Sequence, residues 1–198
     1  MKLQSYHPQA YSKLPDFFQA KQMLLHCETQ IKELGEILKK HNLSKYFGVS
    51  LLHKHFNLYQ DEILSRKIEN NIMTVSPIQN TNQKVGYIWA YSKIESNDPY
   101  GLYPVEFISD CSTTPFTMDA NILLCQSSDF VRDYFYALSC FGLCEYLGLG
   151  IIPKNLFQMN DSDTIMESDN LKQRKLILNV VPVKSLEGID STQTLWSF

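Results

Sequence analysis

The sequence has no excess of basic charge, because 18 Lys and Arg residues stand against 21 Asp and Glu residues, for a formal net charge of −3. Proteins that bind duplex nucleic acid usually carry a stripe of lysine and arginine, so duplex nucleic acid is not an expected partner. No run approaches the roughly 20 apolar residues that span a bilayer. The N-terminus lacks the basic start and apolar core of a secretory signal. We expect no membrane span and a cytoplasmic location, with signal-independent export into a host cell, as for a bacterial effector, left open.

Paired cysteines are also missing, since the five cysteines include no CxxC spacing. Reduced thiols are therefore expected. Cys140 and Cys144 would share one helical face, most simply as small core residues. Cys111 lies in a polar, turn-like segment, where a nucleophile pair with His55, oriented by Asp110, is conceivable. Spacing alone does not establish such a pair.

The local signatures of common enzyme classes are absent. The sequence contains no GxGxxG after a strand, no GxxxxGK[ST], no GxSxG, no HExxH and no EF-hand loop. It also shows no evident internal repeat and no interdomain linker. A length of 198 residues fits one domain. We expect residues 1–198 to form that domain, with mobile ends at 1–14 and 187–198.

Hydrophobic periodicity predicts two main helices and a run of strands. One helix should begin at Pro15 and end near His41, with two shorter helices as the alternative because glycine at position 35 weakens a helix. The other helix should begin at Ser127 or Ser128 and stop at Gly148. Strands are predicted over residues 46–58, 63–68, 84–93, 103–108, 164–167 and 174–183, with 70–84 as a surface loop. This order predicts an α+β fold, in which an antiparallel sheet has the two main helices packed on one face.

The most specific chemical pattern is His53-Lys54-His55 on the first predicted strand. Residues two apart on a strand face the same side, so the two imidazoles could chelate one divalent metal ion. Glu62 and Glu106, on neighbouring predicted strands, are the expected further ligands. The alternative is an ordinary polar strand face that carries His and Lys side chains.

Aromatic residues crowd the middle strands, and Tyr87, Trp89, Tyr91 and Tyr103 are the principal ones. The first three alternate and would share one face of a strand. If that face is open, it is a platform for a protein or small-molecule partner. If a helix covers it, these rings belong to the core, which is the commoner arrangement.

The block Phe47–Phe56 (FGVSLLHKHF), with Asp61–Leu64 after it, resembles a segment of uncharacterised predicted proteins of fungi and some bacteria. Segments around Val105 and Leu143 fit the same resemblance. No activity is established for that group, so the resemblance implies no catalytic residue. It marks the histidine strand as a feature to test.

Two functions follow from these observations. The leading one is a non-catalytic binding or interaction module that uses the aromatic-rich sheet face. The alternative is a metal-dependent enzyme, of hydrolase or oxygenase type, centred on His53 and His55. The absence of a recognisable catalytic constellation favours the first, and the paired histidines favour the second.

Overall fold

The protein is described from a computed structural model that covers residues 3–80, 85–95, 97 and 99–198. Within these residues the α-helices are α1 Pro8–Ser12, α2 Phe17–Met23, α3 Glu28–Lys40, α4 Pro115–Gln126 and α5 Ser128–Phe141. The strands are β1 Phe47–Leu51, β2 Glu62–Glu69, β3 Ile72–Gln79, β4 Val85–Ser92, β5 Gly101–Ile108, β6 Leu147–Ile151, β7 Asp163–Asn170, β8 Lys175–Pro182 and β9 Leu195–Trp196. The predicted α+β class is therefore confirmed. None of the described helices has the length and apolar character needed to cross a membrane.

All nine strands belong to one sheet, in the order β7-β8-β3-β2-β5-β4-β6-β1-β9. Only β2 and β5 are parallel neighbours, and every other neighbouring pair is antiparallel. The largest fully buried side chains include Trp89, Phe47 and Tyr134. The Tyr134 hydroxyl donates a hydrogen bond of 3.0 Å to the Gly148 carbonyl, so helix α5 is tied to strand β6 through the core.

Several boundaries differ from the sequence prediction. The first predicted helix is divided, because the 3₁₀ turn Leu24–His26 separates α2 from α3. Helix α4 was not predicted. The strand predicted over 46–58 ends at Leu51, and the predicted loop at 70–84 contains all of β3, while residues 81–84 lie outside the described residues. Packing of two main helices on one face stays a prediction.

Described residues of both terminal segments make contacts with the rest of the fold. Helix α1 buries Ala10 and Tyr11, and Leu3 forms a bridge with Leu102 of β5. At the other end, β9 pairs with β1. The mobility expected for residues 1–14 and 187–198 stays a prediction.

The two halves of the chain repeat one structure, contrary to the expectation of no internal repeat. Asn42 (φ 58°) and Gly142 (φ 68°) follow α3 and α5 in the left-handed conformation that closes many helices. The next N–H groups, of Leu43 and Leu143, donate to the carbonyl five residues earlier at 2.9 and 3.0 Å. These matched positions differ by 100 (142 − 42 and 143 − 43). The helix-to-strand corner is thus built twice.

The strand pairing has the same twofold character. In the β1–β6 pair, Val49 lies opposite Leu149, and Phe47 lies opposite Ile151. The register is symmetric about the Val49–Leu149 pair, because the residue two before Val49 pairs with the residue two after Leu149, and the reverse also holds. Each repeat therefore contributes the same part of its strand to the ladder. The β3–β8 pair is arranged in the same way. The two repeats are therefore joined edge to edge within one sheet and are related by a pseudo-twofold axis.

Two glycines show how closely the repeats correspond. A Cβ on Gly48 would lie 2.3 Å from the carbonyl oxygen of Trp196, and a Cβ on Gly148 would lie 2.3 Å from that of Trp89. Real Cβ atoms do not approach an oxygen so closely, so glycine is required at both positions by close backbone approach. Strand β9 therefore lies against β1 in the same way that β4 lies against β6.

Candidate functional site

The two histidines lie in the irregular segment that follows β1, not on the strand itself. The Tyr11 hydroxyl accepts hydrogen bonds from the backbone N–H groups of His55 (3.1 Å) and Phe56 (3.3 Å). The N–H of Lys54 donates to the Pro15 carbonyl at 2.8 Å. These bonds to the N-terminal region hold the segment in place and direct both imidazoles inward.

His53 is 6% exposed and has a defined tautomer. Its Nδ1 lies 3.1 Å from the Leu51 carbonyl oxygen, which can only accept, so Nδ1 carries the ring proton and Nε2 keeps a lone pair. Burial, together with the neighbouring His55, lowers the pKa of His53 to about 3. The ring is therefore neutral near pH 7, as a metal ligand must be.

His55 lies beside His53, with ring centroids 4.4 Å apart, and its side chain is 6% exposed. Its Nε2 is 3.5 Å from Oε1 of Glu106, and its Nδ1 is 3.7 Å from Oε1 of Glu167. Glu106 comes from β5 and Glu167 from β7. The imidazole is thus held between two carboxylates from different repeats.

Glu106 is fixed by a buried ion pair with Arg66 of β2. The Arg66 Nε and Nη2 atoms lie 2.6 and 2.5 Å from the same carboxylate oxygen, Oε2. Although burial alone would raise the pKa of Glu106, Arg66 and the contact with His55 lower it to about 2. The guanidinium also lies 4.5 Å over the Tyr87 ring. Glu106 is therefore a carboxylate at neutral pH, and its Oε1 can accept a hydrogen bond from His55 Nε2.

One group of side chains could hold a metal ion. Ligand atoms of His53, His55 and Glu167 all lie within 4.8 Å of one another. Two ligands bound at about 2.1 Å in tetrahedral geometry are roughly 3.4 Å apart. The 3.7 Å contact between His55 and Glu167 is close to that separation, and because no pair of ligand atoms is more than 4.8 Å apart, no pair must contract by more than about 1.4 Å.

The expected ligands are distributed differently from the sequence hypothesis. Glu106 reaches His55, but its other oxygen is held by Arg66. Glu62 accepts two hydrogen bonds from Arg174, at 2.9 and 2.6 Å, and is not part of the His53–His55–Glu167 group. Among the described residues, Glu167 occupies the carboxylate position that we had expected Glu62 or Glu106 to fill.

Glu167 carries no local sequence signal. It lies 112 residues beyond His55 (167 − 55) in a predicted hairpin with ordinary composition. Its position follows from the repeat. Strand β7 begins at Asp163 and its counterpart β2 begins at Glu62, a shift of 101 residues. By the same shift, Glu167 is the counterpart of Arg66 (66 + 101). Recognition of the repeat would have placed residue 167 on the inner face beside the histidines.

The aromatic residues are mostly covered. Trp89 is 0% exposed, Tyr87 3% and Tyr91 8%, while Tyr103 is half-buried. Trp89 packs edge-on against Phe47, with centroids 5.8 Å apart. Tyr91 stacks on Phe135 of α5 and on Tyr100. The three alternating rings are therefore buried and do not form the open face that a partner would need.

Cys111 does not contact His55 in the structure. Its Sγ lies 3.3 Å from the Ser109 hydroxyl and 3.8 Å from that of Ser112, and these bonds lower its pKa. His55, by contrast, faces two glutamates. All five cysteines are free thiols, and Cys140 and Cys111 are exposed while Cys144 is half-buried.

Comparison of the chain with protein-family models, with curated proteins and with solved structures found no match in any of the three. The site must therefore be interpreted from its own geometry.

Proposed function

We propose that this protein binds one divalent transition-metal ion through His53, His55 and Glu167, and that it is a metal-dependent enzyme of hydrolase or oxygenase type. The observation that carries the proposal is the approach of three ligand atoms from three separate side chains to within 4.8 Å of one another. Two imidazoles and one carboxylate are a donor set suited to zinc or ferrous iron. Three protein ligands leave coordination positions open for water or substrate, where the metal can polarise a bond or activate water.

The surroundings of the ligands support this proposal. Metal-binding histidines commonly donate the second ring N–H to a carbonyl or carboxylate. His53 makes this contact with the Leu51 carbonyl, and His55 has Glu106 at 3.5 Å. The Arg66 ion pair in turn fixes Glu106. Each imidazole is therefore oriented before any ion arrives.

The three proposed ligands differ in exposure. The Glu167 side chain is 29% exposed, whereas both histidine side chains are nearly buried. Phe17, at the start of α2, packs against His53 with ring centroids 5.1 Å apart. Glu167 is therefore the most exposed of the three proposed ligands.

The non-catalytic binding module loses its expected surface, because Tyr87, Trp89 and Tyr91 are buried. A protein or small-molecule partner stays a prediction, with no support from those three rings.

The five free thiols support a reducing, cytoplasmic location.

Titration of the chelator-treated protein with zinc, and separately with ferrous iron under anaerobic conditions, tests the proposal by calorimetry. We expect one ion per chain, with affinity reduced at least about 100-fold in His55→Ala and Glu167→Gln. Matched controls are His41→Ala, whose imidazole faces Asp133, and Asp169→Asn, two residues from Glu167 on β7. Equal binding by the ligand variants and the controls, or no binding by folded protein, would refute the metal centre.

A further inference from the structure

The two repeats differ by one strand. In the first half, β5 lies between β2 and β4. Their counterparts in the second half, β7 and β9, are the two terminal strands of the described sheet, and no described strand lies between them. We call the two unpaired edges, of β7 and of β9, the β7–β9 seam.

The correspondence at β9 is residue for residue. In the first half, Ile88 and Trp89 of β4 lie opposite Gly150 and Leu149 of β6. In the second half, Leu195 and Trp196 of β9 lie opposite Ser50 and Val49 of β1. These partners are themselves matched by the shift of 100 (150 − 50 and 149 − 49). Strand β9 therefore presents to the seam the edge that β4 presents to β5.

Strand β7 presents the other edge. Ile63–Arg66 of β2 are all buried beside β5, whereas the matched residues 164–167 of β7 are half-buried or exposed. The Arg66 carbonyl accepts a hydrogen bond from Ser109, just after β5, at 2.8 Å. Just before β7, the Ser162 carbonyl accepts a hydrogen bond of 2.9 Å from the N–H of Val183, just after β8. The main-chain groups of residue 162 therefore face β8. Because the bonding direction alternates along a strand, the N–H and C=O groups of residues 163, 165 and 167 point into the seam.

We infer that the β7–β9 seam binds one extended segment of another polypeptide as a tenth strand. By analogy with β5, this segment runs parallel to β7 and antiparallel to β9 and closes the sheet. Its main-chain groups bond to those of Ile165 and Glu167, which is the general mode of strand addition at a sheet edge. This inference depends on the backbone of the repeat and not on the metal centre.

The charge of the seam defines the chemistry of the partner. Apart from the proposed metal ligand Glu167, strand β7 carries Asp163 and Asp169 and has no Lys or Arg. A second copy offering its own β7 would place acidic residues against acidic residues, which is unfavourable across a strand pair. The occupant is therefore an extended segment of a different protein that is rich in lysine or arginine, with apolar residues facing Ile165 and Leu195.

The test is selection of a random 12-residue displayed peptide library on the full-length protein, followed by affinity measurements on the enriched peptides. The key variant is Ile165→Pro, which removes one main-chain donor facing the seam and leaves the bonds to β8 in place. Its matched control is Ile165→Val, which keeps the donor. Circular dichroism and thermal unfolding show whether both variants keep the fold.

We expect enriched peptides that are basic, bind wild type and Ile165→Val alike, and bind folded Ile165→Pro about ten-fold more weakly. Hydrogen exchange at the Ile165 and Glu167 amides should slow when such a peptide is bound. No enrichment above a blank surface would overturn the inference. So would peptides that bind Ile165→Pro as well as wild type, or that leave exchange at these amides unchanged.

Discussion

Removal of the Glu106 carboxylate is expected to destabilise the protein by about 3–5 kcal/mol, because it leaves the Arg66 guanidinium buried without a counter-charge. Arg66 is 5% exposed and Glu106 is 3% exposed. Two guanidinium nitrogens lie within 2.6 Å of the carboxylate, so neither charge can turn to water without opening the sheet. Glu106→Leu and Arg66→Met should each show a cost of this size.

The double variant Arg66→Met/Glu106→Leu should recover most of that loss, because apolar residues of similar volume often replace a buried ion pair at little cost. A double-mutant cycle from urea unfolding, followed by the fluorescence of buried Trp89, should therefore give a coupling energy of at least about 2 kcal/mol. If Glu106→Leu does not fold, Glu106→Gln keeps the shape and still removes the charge. Additive single effects, or single costs below about 1 kcal/mol, would refute the buried ion pair.

Three further predictions concern pH and the repeat. The pKa of His53 is about 3 in the folded protein and about 6.5 when unfolded, so its contribution to stability is complete above about pH 6.5 and is lost as pH falls toward 3, by up to about 1.4 kcal/mol per pH unit. His53→Gln should remove that part of the slope in urea unfolding at a series of pH values, and an unchanged slope would contradict it. Gly48→Ala and Gly148→Ala should each lower the melting temperature strongly, since each Cβ would lie 2.3 Å from a carbonyl oxygen. Gly150→Ala, whose nearest contact is 3.1 Å, is the milder control, and equal losses at all three glycines would contradict the argument. Asn42→Gly should stabilise by about 0.5 kcal/mol, because the backbone there is left-handed; a destabilised variant in chemical denaturation would contradict this.

Much of the secondary structure follows from local sequence. The strands predicted at 84–93 and 103–108 correspond to β4 and β5, and the helix predicted from Ser127 or Ser128 corresponds to α5, which ends at Phe141 and not at Gly148. These segments have strong periodicity, so local signals suffice, although the Ser127 side chain makes no capping hydrogen bond. The first predicted helix forms as two helices, but the break lies at Leu24–His26, and Gly35, the expected weak point, lies inside α3.

The repeat leaves only a short trace in the sequence, and that trace was missed. Leu43, Tyr46 and Gly48 recur as Leu143, Tyr146 and Gly148, whereas Asn42 corresponds to Gly142 and Ser50 to Gly150. What the two halves share is a left-handed helix end, a corner and a close strand crossing. Such backbone features are visible only in the folded chain.

The candidate site was predicted in part. The HxH spacing brought His53 and His55 together as expected, and Glu106 lies beside His55, although the histidines follow β1 and do not lie on it. Glu62 is bound to Arg174, a pairing between distant residues. Glu167 depends on the meeting of two repeats, which residue spacing in one sequence cannot show.

The central claim is tested most directly by elemental analysis of tag-free protein purified without chelators, together with the His53→Ala/His55→Ala double variant and Glu167→Gln. The metal-centre account predicts close to one zinc or iron ion per wild-type chain, and loss of that ion from the variants while circular dichroism shows an intact fold. No metal in the wild type after incubation with zinc, iron and manganese, or equal metal in the folded variants, would contradict it.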